Sequence, residues 1–322
     1  MRSSGFLGGT SGRALAAFLI VIALHVVGTM LIPGYSQPFA IRALLVLASL
    51  LAIACIGQTL VVILGGIDLS IPFVIGFANV VAAQLYGEQW NFGLVCAVVG
   101  LGALLIGAFN GYVSRRLDIH PLIVTLGTGM VTQGAVLLWT AGFPSGSAPQ
   151  AVSDFVSIGG SAGPLPVPWI VPAVVVLGFL VAILLARTPY GRRLYALGSN
   201  PGAAPLALID PVAMWTITFA LSAFCSAITG VLLLGFTGSA YGDVGQPYLF
   251  QTIAAVVVGG AAMVGGQGSY LGTIAGALVL TEINTLLIGL GFQPSAVQAA
   301  LGVIIVLLVS LYGRERHVSK TI

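Results

Sequence analysis

IRALLVLASLLAIACIGQTLVVI, residues 41–63, runs for 23 residues with a single charge, Arg42, near its start. As a helix at 1.5 Å per residue it extends about 34 Å, enough to cross a hydrocarbon core of about 30 Å. A water-soluble domain needs roughly a quarter of its residues charged to cover its surface. This chain of 322 residues has 6% charged and 58% hydrophobic residues, with a mean hydropathy of +1.10. The stretch reads as a membrane span, and the chain around it as one all-α polytopic bundle.

Working outward from 41–63, apolar runs at 14–32, 71–86, 93–113, 121–140, 169–186, 212–234, 249–264, 270–290 and 296–312 bring the expected total to about ten spans. The first run has the look of a signal-peptide core but is long and lacks a clean small-residue cleavage site, so it reads as a span. Ten spans put both ends on one side. Arg2, Arg13, Arg115, Arg116, Arg187, Arg192, Arg193, Arg314, Arg316 and Lys320 all fall on that side, and only Arg42 on the other. Basic loops resist translocation, so both termini and the loop 187–211 are expected in the cytoplasm. On the outer side, 143–168 is rich in Gly, Ser and Pro and suits turns or a short surface element. The segment 1–322 reads as a single membrane domain.

Polar groups inside apolar runs carry the information, because a carboxylate in a span normally faces a cavity or the bundle interior. Asp68 lies in LGGIDLSIPF, 64–73, after Gly65 and Gly66 and before Ser70 and Pro72. The glycines loosen the chain, Pro72 suits a first helical turn, and Asp68 or Ser70 can cap it. A broken helix beside a path is one reading, and a simple interfacial cap the other. Gln58, Asn110, Thr125, Glu282 and Asn284 complete the candidates for a path or gate; hydrogen bonding between helices explains such groups as well. Gly65, Gly66, Gly107, Gly111, Gly259, Gly260, Gly272 and Gly276 are expected to let helices pack closely, since small residues allow backbones to approach in lipid.

Catalytic chemistry finds no footing. The glycine pairs at 259–260 and 265–266 lack the lysine and hydroxyl of a phosphate loop, so any ATP must be held by another polypeptide. Cys55, Cys96 and Cys225 have no metal spacing, and His25, His120 and His317 stand alone. No cofactor and no nucleic-acid partner are expected; the immediate partner is membrane lipid. On residues alone, an ion-coupled transporter and a membrane assembly protein without a transport path stand beside an ATP-driven permease.

GQTLVVILGGIDLS, 57–70, with Gln58, Gly65, Gly66, Asp68 and Ser70, resembles the membrane permease subunit of bacterial ATP-binding cassette importers for monosaccharides. Pro121, Thr125, Leu126 and Gly127 in HPLIVTLGT fit the family's next marker. Tyr195, Gly198, Asn200, Pro201, Ala203 and Ala204 fit its cytoplasmic segment, and Gly259, Gly260, Gly265, Gly266, Gly268, Gly272 and Gly276 its late glycine-rich one. The resemblance covers roughly 40–312 in consistent order. It implies an all-helical permease that partners a second permease subunit, as homodimer or heterodimer. It also implies two copies of a sugar-import ATPase or one fused double ATPase, and a periplasmic solute-binding protein.

The resemblance further implies that residues 198–209, within YGRRLYALGSNPGAAPLALIDP (190–211), form a short cytoplasmic coupling helix that docks on the ATPase. Gly198, Ser199, Asn200, Pro201, Gly202, Ala203, Ala204 and Pro205 are then the coupling residues, with Ser199 or Asn200 as cap and Pro201 as first residue. Gly202 stands where relatives usually have Glu, Pro205 where they have Arg, and Gln267 where Arg is common. Gly202 and Pro205 weaken a helix interior by about 1 and 3 kcal/mol relative to Ala.

Overall fold

The computed structural model describes residues 10–293 and 295–303, with side chains from residue 15 onward. It is an all-α membrane bundle. In chain order the helices are α1 (Thr10–Leu31), α2 (Pro38–Leu64), α3 (Ile71–Gly87), α4 (Phe92–Arg116), α5 (Pro121–Trp139), α6 (Gln150–Val156), α7 (Ile170–Arg187), α8 (Pro189–Ser199), α9 (Pro211–Thr237), α10 (Tyr248–Val258) and α11 (Tyr270–Gly289). A 3-10 turn covers Ala204–Ala207, and residues 295–303 are helical. Among the described residues, α2, α4, α5, α7, α9 and α11 are long and apolar enough to cross a membrane. The apolar part of α1 from Leu15, together with α3 and α10, is shorter.

Proline punctuates the chain within the first two helical positions of α2, α3, α5, α8 and α9, where a missing N–H costs no intrahelical bond; Pro72, in α3, is the one so expected. Asn91 caps α4 by accepting from the Gly93 N–H, and Asp210 caps α9 by accepting from Val212 and Ala213. α2 and α9 form the centre. α9 packs on α2, α3, α4 and α6, and α2 packs also on α7, α10 and α11; α5 leans on α3 and α4, and α1 on α11. Outward faces of α5 and α7 carry exposed Met130, Val131, Leu138, Val176 and Phe179, as a lipid-facing surface requires.

Close packing rests on glycine at a few places. A Cβ on Gly107 would meet the Phe219 carbonyl, and one on Gly111 the Trp215 carbonyl, so two turns of α4 lie directly on the α9 backbone. Gly272 and Gly276 lie in the same way on the carbonyls of Gly259 and Ala255. Of the remaining glycines expected in helix packing, Gly259 belongs to this same contact, since a Cβ on it would meet the Gly272 carbonyl. Gly65, Gly66, Gly259 and Gly260 lie beyond the ends of α2 and α10; Gly65 at φ 94° and Gly260 at φ 91° turn the chain in the left-handed region.

That turn corrects the expected span at 249–264. α10 ends at Val258 after 11 residues, about 16 Å, and the chain then follows an irregular path over 259–269. Hydropathy continued through Ala261, Ala262, Met263 and Val264, but the glycine pair broke the helix. The expected span at 296–312 is helical over 296–303, and its remainder lies outside the described residues, as do Arg2, Arg314, Arg316 and Lys320. The stretch 143–168, expected on the outer side, folds into α6 and an isolated bridge between Ala162 and Leu165.

Candidate functional site

The connector between α2 and α3 sits within the bundle. Asp68, 1% exposed, accepts from the Ser70 N–H at 2.9 Å and from the Ser70 hydroxyl through Oδ1, and from the Ser222 hydroxyl at 2.7 Å through Oδ2. Asn110 Nδ2 donates to Ser70 Oγ at 3.0 Å, and Thr128 donates to Asn110 Oδ1. Thr125 Oγ1 accepts the Leu69 N–H at 3.0 Å and donates to the Pro121 carbonyl. Four expected residues, Asp68, Ser70, Asn110 and Thr125, therefore meet in one buried lattice that ties the connector to α4, α5 and α9. The expected cap is absent. Ser70 is the residue before α3 but makes no side-chain cap bond, and Asp68 bonds its near neighbour and α9 instead. Ser222 was not foreseen; its signal is a small polar residue in an apolar run, in step with Thr218, Ser226 and Thr229.

Glu282 belongs to a different cluster. Fully buried on α11, it meets His25 Nδ1 of α1 at 2.7 Å, and the other nitrogen of that ring, Nε2, meets Ser36 Oγ at 3.1 Å. Tyr35 donates to the Glu282 carbonyl at 3.5 Å, and its ring packs against His25. This arrangement pins α1 to α11. Glu282 Oε2 has no hydrogen-bond partner among the described residues. Gln58, also fully buried, likewise lacks a described partner for either amide atom. Asn284 is half-buried and lines an open groove of about 500 Å³ between α10, α11 and the helical residues 295–303.

The polar segment after α7 is ordered differently from expectation. α8 spans Pro189–Ser199, capped by Thr188, and Asn200 ends it; no helix begins at Pro201. Asn200 Oδ1 accepts from the Ala203 N–H at 3.0 Å, and a 3-10 turn follows over Ala204–Ala207. Pro205 has no N–H to bond, and Gly202 gives no support to a continuous helix, which is why the chain turns twice. Ala204 is 4% exposed, whereas Leu206 and Leu208 are 87% and 94% exposed. Leu208 is held at φ 58° as the residue after the turn. Two leucines presented this way escaped the sequence reading, which named the residues from Gly198 to Pro205 for the contact.

α8 is rooted in the bundle. Tyr195 donates to the Gly268 carbonyl at 2.7 Å, and Ser199 to the Gly266 carbonyl at 3.5 Å. The Gly266 N–H donates to the Ile63 carbonyl of α2 at 2.8 Å, and Gly198 lies so close to that carbonyl that no Cβ fits. Tyr190 hydrogen-bonds Thr218 of α9 at 3.0 Å; burial pushes its phenol up to about 12, so the contact stays protonated near neutral pH. From the 3-10 turn, a continuous line of contacts thus runs through α8 and 265–268 to the end of α2 and the Asp68 connector. The α4–α9 and α2–α8 contacts also put Arg115, Arg116, Arg187, Arg192 and Arg193 at one end of the bundle, with Arg42 at the other.

Among the described residues, no group of three or more His, Cys, Asp or Glu is placed to hold a metal ion. Comparison with known proteins identifies the scaffold. Residues 40–309 match the family described as branched-chain amino acid transport system / permease component. The ribose import permease protein of Haemophilus influenzae is 33% identical over 274 residues, covering 84% of each chain. The fructose import permease protein of Rhizobium meliloti is 29% identical over 94% of this chain and 85% of its own. An autoinducer 2 import system permease protein of Klebsiella pneumoniae is 31% identical over 88% and 87%. No solved structure matches the chain. The chain belongs to this permease family and is a polytopic membrane protein homologous to the sugar-import permeases of ATP-binding cassette systems.

Proposed function

We propose that this chain is the membrane-spanning subunit through which an ATP-driven importer moves a monosaccharide or a similar hydroxyl-rich solute. The supporting observation is the α8 and 3-10 segment: Leu206 and Leu208 project from it, while its other side is bonded to the α2 end and to 265–268. An exposed apolar pair on a polar loop is a contact surface for another protein. In this reading the partner is a cytoplasmic ATPase, present as two copies or as a fused double unit, and its closure displaces the turn. Gly198, Ser199, Asn200, Pro201, Gly202 and Ala203 form the rigid base of that contact, and Ala204 and Pro205 shape the turn. The displacement reaches Asp68 through the contacts of Gly198 and Gly266 with α2, and through the connector reaches α4, α5 and α9. A second permease subunit and an external solute-binding protein complete the complex.

The same reading takes the chain as ten crossings, counting α1, α3, the half-length α10 and the helix that begins at 295. Both termini and the α8 end face the cytoplasm, as the gathering of basic residues requires. The whole chain is then one permease domain with a cytoplasmic coupling loop at about 187–211, and it carries no catalytic site of its own. Reconstitution tests it: uptake into proteoliposomes must require ATP, the ATPase and the binding protein, and uptake driven by a proton or sodium gradient without ATP contradicts it. Thiol labelling of Ser199→Cys only from the inside, and of Ser153→Cys only from the outside, tests the orientation.

A further inference from the structure

The path candidates separate in an informative way. Asp68, Ser70, Asn110 and Thr125 spend their hydrogen-bonding capacity on one another and on the backbone, and Glu282 holds α1. Asn284 lines an open space, the groove of about 500 Å³, and there it is joined by Gln246, Gln251 and Gln298. The carboxamides of Gln84, Gln133 and Gln150 each have a side-chain partner. The four in the groove have no side-chain hydrogen-bond partner among the described residues. Leu249, Phe250, Ile288, Val297 and Leu301 supply apolar wall between them, and among the described residues no ionisable side chain lines the space.

We infer that this groove is a station for a neutral, polyhydroxylated solute, gripped by the carboxamides of Gln246, Gln251, Asn284 and Gln298. The inference rests on the import reading above and adds where the solute pauses and what recognises it. Each carboxamide offers two N–H donors and one acceptor oxygen, which matches a hydroxyl that both donates and accepts. An ion finds no opposite charge among the described lining residues, and an apolar solute leaves the hydrogen-bonding capacity of the amides unused. The apolar wall suits the C–H face of a sugar ring, and the volume lies within the range of small-molecule sites. Neutral hydrogen bonds contribute only about a two- to tenfold factor each, so the solute is held loosely enough to move on. Asn284 lies 14 residues along α11 from Tyr270, the end beside α8, or about 21 Å. The groove therefore opens towards the end of the bundle opposite α8, where an external binding protein delivers its load.

The test uses the whole complex, with permease, ATPase and binding protein in proteoliposomes, and radiolabelled D-ribose, D-xylose, D-fructose and ribitol as probes. Gln251→Leu and Gln298→Leu are compared with wild type and with Gln150→Leu, which lies on α6 away from the groove. Gln298 is exposed, so its replacement leaves the packing intact. Each groove variant is expected to lower uptake of the transported probe by at least about threefold, and the double variant by about tenfold, given the worth of neutral hydrogen bonds. Basal ATP hydrolysis and Gln150→Leu uptake stay within about twofold of wild type. Wild-type uptake with unchanged uptake by the double variant overturns the groove assignment alone. Wild-type uptake of a probe that needs neither ATP nor the ATPase overturns the import reading and the assignment with it.

Discussion

Removing the Asp68 carboxylate tests whether the connector is held by its polar lattice. Asp68→Ala leaves three buried donors without their acceptor: the Ser70 N–H, the Ser70 hydroxyl and the Ser222 hydroxyl. A buried donor left unsatisfied costs about 1–3 kcal/mol, and relief from burying a carboxylate offsets part of the sum. The expected net loss is about 2–4 kcal/mol, a fall in Tm of roughly 4–8 °C for a chain of this size. Asp68→Asn keeps one acceptor oxygen for Ser70 and presents an amide to Ser222, whose hydroxyl can turn to accept; its loss is about 1 kcal/mol. Thermal unfolding of the purified permease in detergent, followed by intrinsic fluorescence, orders the two variants. Equal Tm values for wild type and Asp68→Ala refute the lattice as a source of stability. Ser222→Ala in the Asp68→Ala background adds little if the pair acts as one unit, and adds its full single-variant effect if it does not.

The other variants divide by where their atoms go. Gly111→Leu drives a side chain into the Trp215 carbonyl and is expected to abolish folded permease on size-exclusion chromatography, whereas Gly127→Ala, with nothing within 4 Å of the new methyl, folds normally. Gln58→Met removes a buried amide that lacks a described partner, so Tm is expected to hold or rise by up to a few degrees; a fall shows that the amide is bonded. His25→Leu strips the remaining bond from the Glu282 carboxylate and is expected to cost about 3 kcal/mol; unchanged Tm contradicts the pinning of α1.

Most spans could be read directly, because an apolar run near 20 residues ended by Pro, Gly or Arg has few other fates in water. The ends of α2, α5, α7, α9 and α11 fall within a few residues of expectation. α10 failed for a reason inherent in hydropathy: apolar residues continue past Gly260, and an average over them cannot register a left-handed turn. The helix expected over 198–209 failed similarly. Thr188 and Pro189 start a helix earlier than the Ser199–Pro201 signal, and that helix uses up the residues expected to cap the next one. Asp68, Ser70, Asn110 and Thr125 were legible as polar residues out of place in spans, but their meeting was not. His25 and Glu282, 257 residues apart, carry no mark in one sequence that they touch. Leu206 and Leu208 look like ordinary apolar residues until the turn puts them in water.

Coupling through that turn is the centre of the account. Leu206→Asp with Leu208→Asp changes two side chains that are 87% and 94% exposed, so the permease itself is expected to keep its fold and Tm. Placing two carboxylates in a protein contact strands charges where apolar groups were accommodated, a cost of several kcal/mol unless each finds a partner. The decisive measurement is ATP hydrolysis by the reconstituted complex, with and without solute-loaded binding protein. The double variant is expected to lose the stimulated hydrolysis or to release the ATPase. Stimulation equal to wild type, with the ATPase still bound, contradicts the assignment of this turn as the coupling contact.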